Sequence, residues 1–163
     1  MTQAFAYLDD IIVHAPNVEL HLEYLEKVLQ VHLQAGLRLQ PHKTNLLRDE
    51  AVYLGHVINS DGVRPDPAKL DAVQDWPQPT NITELQSYLG LCNYYRDFVP
   101  TYSEVALPLL KFLEGSPPKK QPIQFGPDAV GAFVALKKAL CQAPILAFPN
   151  FQDDAAPFIL DSK

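Results

Sequence analysis

Ala4-Phe5-Ala6-Tyr7-Leu8-Asp9-Asp10-Ile11-Ile12-Val13-His14 sets two adjacent carboxylates between two short apolar runs. β-Prone residues on both sides of a short acidic break form the pattern of a β-hairpin that turns at the acids. Neighbouring carboxylates repel each other, and a bound cation relieves that cost. Mg²⁺ suits such a pair, because it binds through one or two carboxylates and lets substrate phosphates complete its shell. An ordinary hairpin turn, where Asp is common, is the other reading of Tyr7–Asp10. The rest of the chain decides between them.

The chain has 163 residues, enough for one domain or two small ones. Hydrophobic residues make up 47% and charged residues 20%, so there is a core to bury and no general disorder. Most of the fifteen prolines cluster at 65–79, 117–127 and 144–157, where they punctuate elements. Net charge is -6, without the basic excess usual in an isolated nucleic-acid-binding domain, which argues against strong binding by this chain alone. Cys92 and Cys141 have no metal-type spacing and read as buried thiols in a reducing compartment. The histidine pairs His14/His21 and His32/His42 also lack ligand spacing. No apolar run reaches the ~18 residues of a membrane span, and no signal-peptide pattern opens the chain. An intracellular location, cytoplasmic or nuclear, is expected, with no membrane partner.

After the hairpin, Asn17 as N-cap, Glu19 in the first turn and Gly36 at the end bracket a helix. Leu22, Leu25, Leu29 and Leu33 give it one apolar stripe, the pattern of a helix packed on a sheet. Leu37-Arg38-Leu39 predicts a short strand and residues 51–58 another. Ser60-Asp61-Gly62 signals a turn before an extended Val63-Arg64. Asp66-Pro67 starts a helix that runs to about Trp76, where Pro77 and Pro79 stop it. Asn81-Ile82-Thr83-Glu84 has capping-box spacing, and the helix it opens buries Leu85, Leu89, Cys92 and Tyr95. A third helix is expected at about Ser103–Leu113. Gly115–Gln121, with Pro117-Pro118-Lys119-Lys120, reads as a linker. A last helix over Pro127–Gln142 turns Phe133, Leu136 and Leu140 inward, and Pro157-Phe158-Ile159-Leu160 closes the chain as a strand.

Several separated stretches resemble one family in order. Tyr7-Leu8-Asp9-Asp10-Ile11 resembles the catalytic hairpin of reverse transcriptases. Leu37–Lys43 and Tyr53-Leu54-Gly55-His56-Val57-Ile58 resemble later palm segments of gypsy-type LTR-retrotransposon polymerases. Gly62–Pro67 and Trp76-Pro77-Gln78-Pro79 resemble the entry to their thumb, and Leu89–Arg96 its main helix. Ala143-Pro144-Ile145-Leu146, with Pro149 and Pro157–Leu160, resembles the connection that leads to a ribonuclease H domain.

The resemblance implies an α+β fold. A palm part at 1–64 carries a small antiparallel sheet with the 18–35 helix on one face, a helical thumb follows at 65–115, and a connection or the start of a ribonuclease H-like domain at 116–163. It makes Asp9 and Asp10 two of three metal-binding carboxylates for Mg²⁺ or Mn²⁺, held weakly here. Leu54, Gly55 and His56 match the primer grip. Lys43 matches a lysine proposed as proton donor to pyrophosphate, and an exposed lysine of no special role is its other reading. Gln86, Gly90 and Tyr94, at i, i+4 and i+8 on one helix face, match the thumb track that lies in the minor groove of the template-primer. A solvated face is the alternative.

In that family the fingers, the first half of the palm and the third carboxylate precede the hairpin. Without them the chain is expected to lack polymerase activity and to expose an apolar face prone to self-association. Aligned without gaps, Asp161 falls two positions before the acid that opens the ribonuclease H site and Lys163 falls on it, so no ribonuclease H catalyst is expected. Three functions remain open: an inactive piece of a retroelement polymerase, a non-enzymatic interaction or nucleic-acid-binding module retained by a host, and a polymerase completed in trans.

Overall fold

The computed structural model describes residues 4–148. The strand expected at Pro157–Leu160, and the Asp161 and Lys163 alignment, lie outside them. The architecture is α+β and divides after Ser60 into two compact units.

In the first unit, β1 (Ala4–Tyr7) and β2 (Asp10–Val13) pair antiparallel, with Tyr7 opposite Asp10 and Ala4 opposite Val13. Leu8 carries a positive φ of 55° while Asp9 does not, as in a II′ hairpin loop. Helix α1 (Val18–Gln34) starts where the sequence placed it, the Asn17 side chain accepting from the Leu20 N–H at 2.9 Å.

Helix α1 touches β2, yet none of its residues is buried. The leucine stripe read as packed on a sheet instead lines a shallow groove, with Leu22 half exposed. Val57 is the only buried hydrophobic among the described residues of this unit. The exposed apolar face is therefore present. The small hairpins offer too little area to cover a five-turn helix.

Two strand expectations are corrected. Leu37–Leu39 forms no strand, since no ladder partner reaches it, and Pro41–Lys43 is a single 3-10 turn. Residues 51–58 are not one strand. They form a hairpin of β3 (Ala51–Tyr53) and β4 (His56–Asn59), with Tyr53 opposite His56. Leu54 and Gly55 turn it with φ of 49° and 69°, and positive φ at both loop positions marks a I′ turn. The strands of residues 4–59 therefore belong to separate small antiparallel sheets rather than the single sheet expected over 1–64.

The second unit holds the core. β5 (Gly62–Pro65) precedes α2 (Pro67–Gln74), α3 (Ile82–Tyr94), α4 (Tyr102–Leu110) and α5 (Pro127–Cys141). Val73, Leu85, Leu89, Leu109, Leu136 and Leu140 meet in one apolar cluster, with α5 packed on both α2 and α4. Aromatic rings run through it: Trp76 to Tyr88 at 6.0 Å, Tyr88 to Phe133 at 4.7 Å and Phe133 to Phe125 at 6.3 Å. Lys137 holds its ammonium over the Phe133 ring, 5.2 Å from the centroid, and donates a hydrogen to the Trp76 carbonyl at 2.8 Å. Gly62, at φ 143°, lets Val63 exchange two main-chain hydrogen bonds with Leu146, at 2.9 and 2.8 Å.

Cys92 is buried as expected, and burial pushes its thiol up to about 11. Cys141 is exposed, contrary to expectation, because the last turn of α5 spends its inward position on Leu140. No described helix is long and apolar enough to cross a membrane.

Candidate nucleic-acid interface

Helix α3 is fixed at its N-terminus by a dense set of side-chain bonds. The Asn81 side chain accepts from the Glu84 N–H at 3.0 Å. Glu84 reaches back one residue further than an ordinary capping box, accepting from the Thr80 N–H at 2.7 Å, the Thr80 hydroxyl at 2.9 Å and the Asn81 amide at 2.8 Å. The Thr80 N–H, then its hydroxyl, hold the Glu84 carboxyl below the usual carboxylate value.

The segment read as a linker completes this end. The Ile82 and Thr83 N–H groups donate to the carbonyls of Gln121 and Lys119, at 3.2 and 3.0 Å, and the Thr83 hydroxyl also donates to Lys119 at 2.9 Å. Ile123 returns a bond to Thr80 at 2.9 Å. Residues 118–123 therefore supply acceptors for helix donors that would otherwise be orphaned. The linker reading is corrected for that reason.

One face of α3 is buried through Leu85, Tyr88, Leu89 and Cys92. The opposite face presents Thr83, Gln86, Ser87, Gly90 and Tyr94 to solvent. Tyr94 stays 53% exposed while its ring meets Tyr95 edge-on at 4.9 Å. A Cβ at Gly90 would have no heavy atom within 4 Å. Glycine in an exposed helix interior costs roughly 0.5–1 kcal/mol relative to alanine. No packing among the described residues explains why that cost is carried.

The other sequence-derived residues sit in the first unit. Asp9 lies in the β1–β2 loop and Asp10 opens β2, both exposed. No third His, Cys, Asp or Glu joins them in a metal-holding group among the described residues. Leu54 and Gly55 form the β3–β4 loop. His56 opens β4 half-buried, its Nδ1 2.9 Å from the Leu54 carbonyl oxygen. Lys43 ends the 3-10 turn and is exposed. Sequence reasoning missed Tyr88 as a core residue and missed the 118–123 caps. The Leu85/Leu89 spacing could have flagged the first, since residue 88 lies between them on the same face. Nothing local signals the second.

Residues 1–58 match the family described as reverse transcriptase (RNA-dependent DNA polymerase). The retrovirus-related Pol polyprotein from transposon gypsy of Drosophila melanogaster is 31% identical over 156 residues, 91% of this chain and 15% of that polyprotein. The chain belongs to the reverse transcriptase family of gypsy-type retrotransposons. It spans about 15% of the length of the transposon polyproteins it matches. An uncharacterized mitochondrial protein of Arabidopsis thaliana is 38% identical over 140 residues and is covered to 84% of its length. Among solved structures, the foamy viral protease-reverse transcriptase in complex with RNA/DNA hybrid overlays with a TM-score of 0.78 at 33% identity, covering 88% of this chain and 19% of that one. Reverse transcriptases generally work with divalent metal ions.

Proposed function

We propose that this chain is the template-primer-handling part of a retrotransposon RNA-directed DNA polymerase, with α3 laid against the minor groove of the duplex. The observation that carries this reading is Gly90, an exposed helical glycine with open space around its Cα and with Gln86 and Tyr94 one turn to either side. Glycine admits close approach of a groove, while the Gln amide and Tyr hydroxyl donate to minor-groove acceptors. The likeness to reverse transcriptases solved with DNA or RNA/DNA hybrid supports it.

Asp9 and Asp10 fit part of a metal site. Both offer oxygen donors on one hairpin, and both are open to solvent. They would hold Mg²⁺ or Mn²⁺ weakly, since no third His, Cys, Asp or Glu among the described residues joins them to close the shell. When bound, such ions would activate a primer hydroxyl and neutralise a leaving pyrophosphate. Leu54, Gly55 and His56 would hold the primer end in line, with the His56 ring oriented by the Leu54 carbonyl. Lys43 is the candidate proton donor to pyrophosphate. The chain spans about 15% of the transposon polyproteins it matches, and a third carboxylate to complete the Asp9 and Asp10 pair would come from elsewhere in such a polyprotein.

Anisotropy with an RNA–DNA hybrid at low salt tests the reading: Gly90→Leu weakens binding while far-ultraviolet circular dichroism is unchanged. Equal binding by wild type and Gly90→Leu would replace the groove track with a solvated face. The Arabidopsis relative, matched over 84% of its length, favours a second reading, a module of this extent that acts without polymerisation. Duplex binding without primer extension in Mg²⁺ or Mn²⁺, unchanged when the preceding palm and fingers are supplied in trans, would establish it.

A further inference from the structure

The segment Pro117-Pro118-Lys119-Lys120-Gln121 is fastened to the exposed side of α3. Thr83 holds the Lys119 carbonyl with both its N–H and its hydroxyl, at 3.0 and 2.9 Å, and Ile82 holds the Gln121 carbonyl. Gln121 closes the segment on itself by donating to the Pro118 carbonyl at 2.9 Å. All these bonds use the main chain of residues 118–121, so the Lys119 and Lys120 side chains are left to solvent, where both residues are exposed. Neither ammonium has a carboxylate partner among the described residues. The carboxylate at this end of the helix, Glu84, is turned onto Thr80 and Asn81.

Position gives the two charges a use. Thr83 lies on the same exposed face as Gln86, Ser87, Gly90 and Tyr94, one turn before Gln86. At 1.5 Å per residue, Thr83 to Tyr94 spans ~16 Å. The minor groove of B-form DNA is only about 6 Å wide, bounded by a sugar-phosphate strand on each side. A helix face of that length set across the groove must overlie a backbone at its end. The free N–H groups that would make the α3 N-terminus an anion site are already bonded to Asn81, Lys119 and Gln121. Lys119 and Lys120 bring positive charge to that end through the bonds that fasten their segment to Thr83 and Ile82.

We infer that Lys119 and Lys120 contact backbone phosphates of the duplex at the edge of the groove faced by α3. The proposal rests on the duplex reading of α3 given above. The fold holds the 117–121 segment in place before any ligand arrives, so little ordering is left to be done on binding. The contacts carry no sequence information. They set the register of the helix on the duplex and add to its salt dependence.

The test uses the full chain and a DNA duplex, with affinity measured by anisotropy between 50 and 300 mM salt. Substituting K119Q with K120Q leaves the capping carbonyls in place, so circular dichroism and melting stay as in the wild type. Each lost phosphate contact lowers the slope of log affinity against log salt by roughly 1, so the pair lowers it by about 2. The variant K119R with K120R keeps the wild-type slope, because charge rather than side-chain shape carries the contact. An unchanged slope for the glutamine pair, with Gly90→Leu still weakening binding, overturns this inference and leaves the α3 reading standing. Wild-type affinity in Gly90→Leu, or no binding by the wild type even at the lowest salt, overturns both.

Discussion

The hydroxyl of Tyr88 donates to the main-chain carbonyl of Phe133 across 3.1 Å, tying α3 to α5 through the middle of the core. Tyr88 has no exposed surface, and its ring lies 4.7 Å from that of Phe133. Burial drives the Tyr88 hydroxyl strongly upward, so it stays a protonated donor at any working pH. Tyr88→Phe keeps the ring and loses the bond. Because the Phe133 carbonyl sits inside a helix and keeps an acceptor role there, the cost is about 1 kcal/mol, read as a lower urea midpoint at unchanged m-value.

Gly62 and Gly90 predict opposite outcomes for one substitution. At Gly62 a Cβ would fall 2.1 Å from the Leu146 carbonyl oxygen, on a backbone at φ 143°. Gly62→Ala therefore destabilises by about 2–3 kcal/mol and deprotects the Val63 and Leu146 amides in hydrogen exchange. Gly90→Ala meets open space and stabilises by about 0.5–1 kcal/mol, while duplex affinity falls. A stabilised Gly90→Ala that binds as well as wild type would leave the glycine without a role in binding.

The two thiols differ in access. Cys141 is exposed and Cys92 is buried with its pKa pushed up to about 11. At pH 8 an aromatic disulfide reagent titrates one thiol in the native protein and the second only in denaturant. Cys141→Ser abolishes the native reaction, and Cys92→Ser leaves it intact.

Glu84 sets an acid limb on stability. Its carboxylate pKa lies below the ordinary 4.5, through the Thr80 N–H first and the Thr80 hydroxyl second. The unfolded state therefore binds the proton more readily, and the stabilisation present above pH 4.5 is lost as pH falls through the lower folded value. In Glu84→Gln the melting temperature is lower than in wild type at pH 7. The two curves converge as pH falls below the ordinary carboxylate value.

Paramagnetic broadening by Mn²⁺ should centre on the β1–β2 hairpin and saturate only at high metal concentration. Asp9→Asn with Asp10→Asn removes it. Tight binding that survives the double change would place the metal elsewhere.

Local chemistry wrote much of this protein directly into its residues. The first hairpin follows from apolar runs that flank two acids. Asn17, Asp66 and Asn81 each cap the helix they precede, the Asp66 side chain accepting from Ala68 at 3.0 Å. The inward set of α5, Phe133, Leu136 and Leu140, follows from helical spacing. Each depends on groups within a few residues of one another, so a reader of sequence has every partner in view. The candidate site residues were visible for a different reason, an ordered set of family motifs. Gly90 alone among them gained a physical argument from the structure, through the empty space at its Cα.

Only the tertiary structure decided which apolar stripes are covered. The leucines of α1 have helical spacing as regular as that of α5, yet they remain unburied because no large surface of their own unit lies against them. It also decided that Leu37–Leu39 pairs with nothing and that the proline-rich 117–121 segment is anchored. The bonds from Thr83 to Lys119 join residues 36 apart and end on a carbonyl that every residue type possesses. A main-chain acceptor leaves no trace in residue identity, so such a contact emerges only when the chain has folded and an orphaned helix donor finds it.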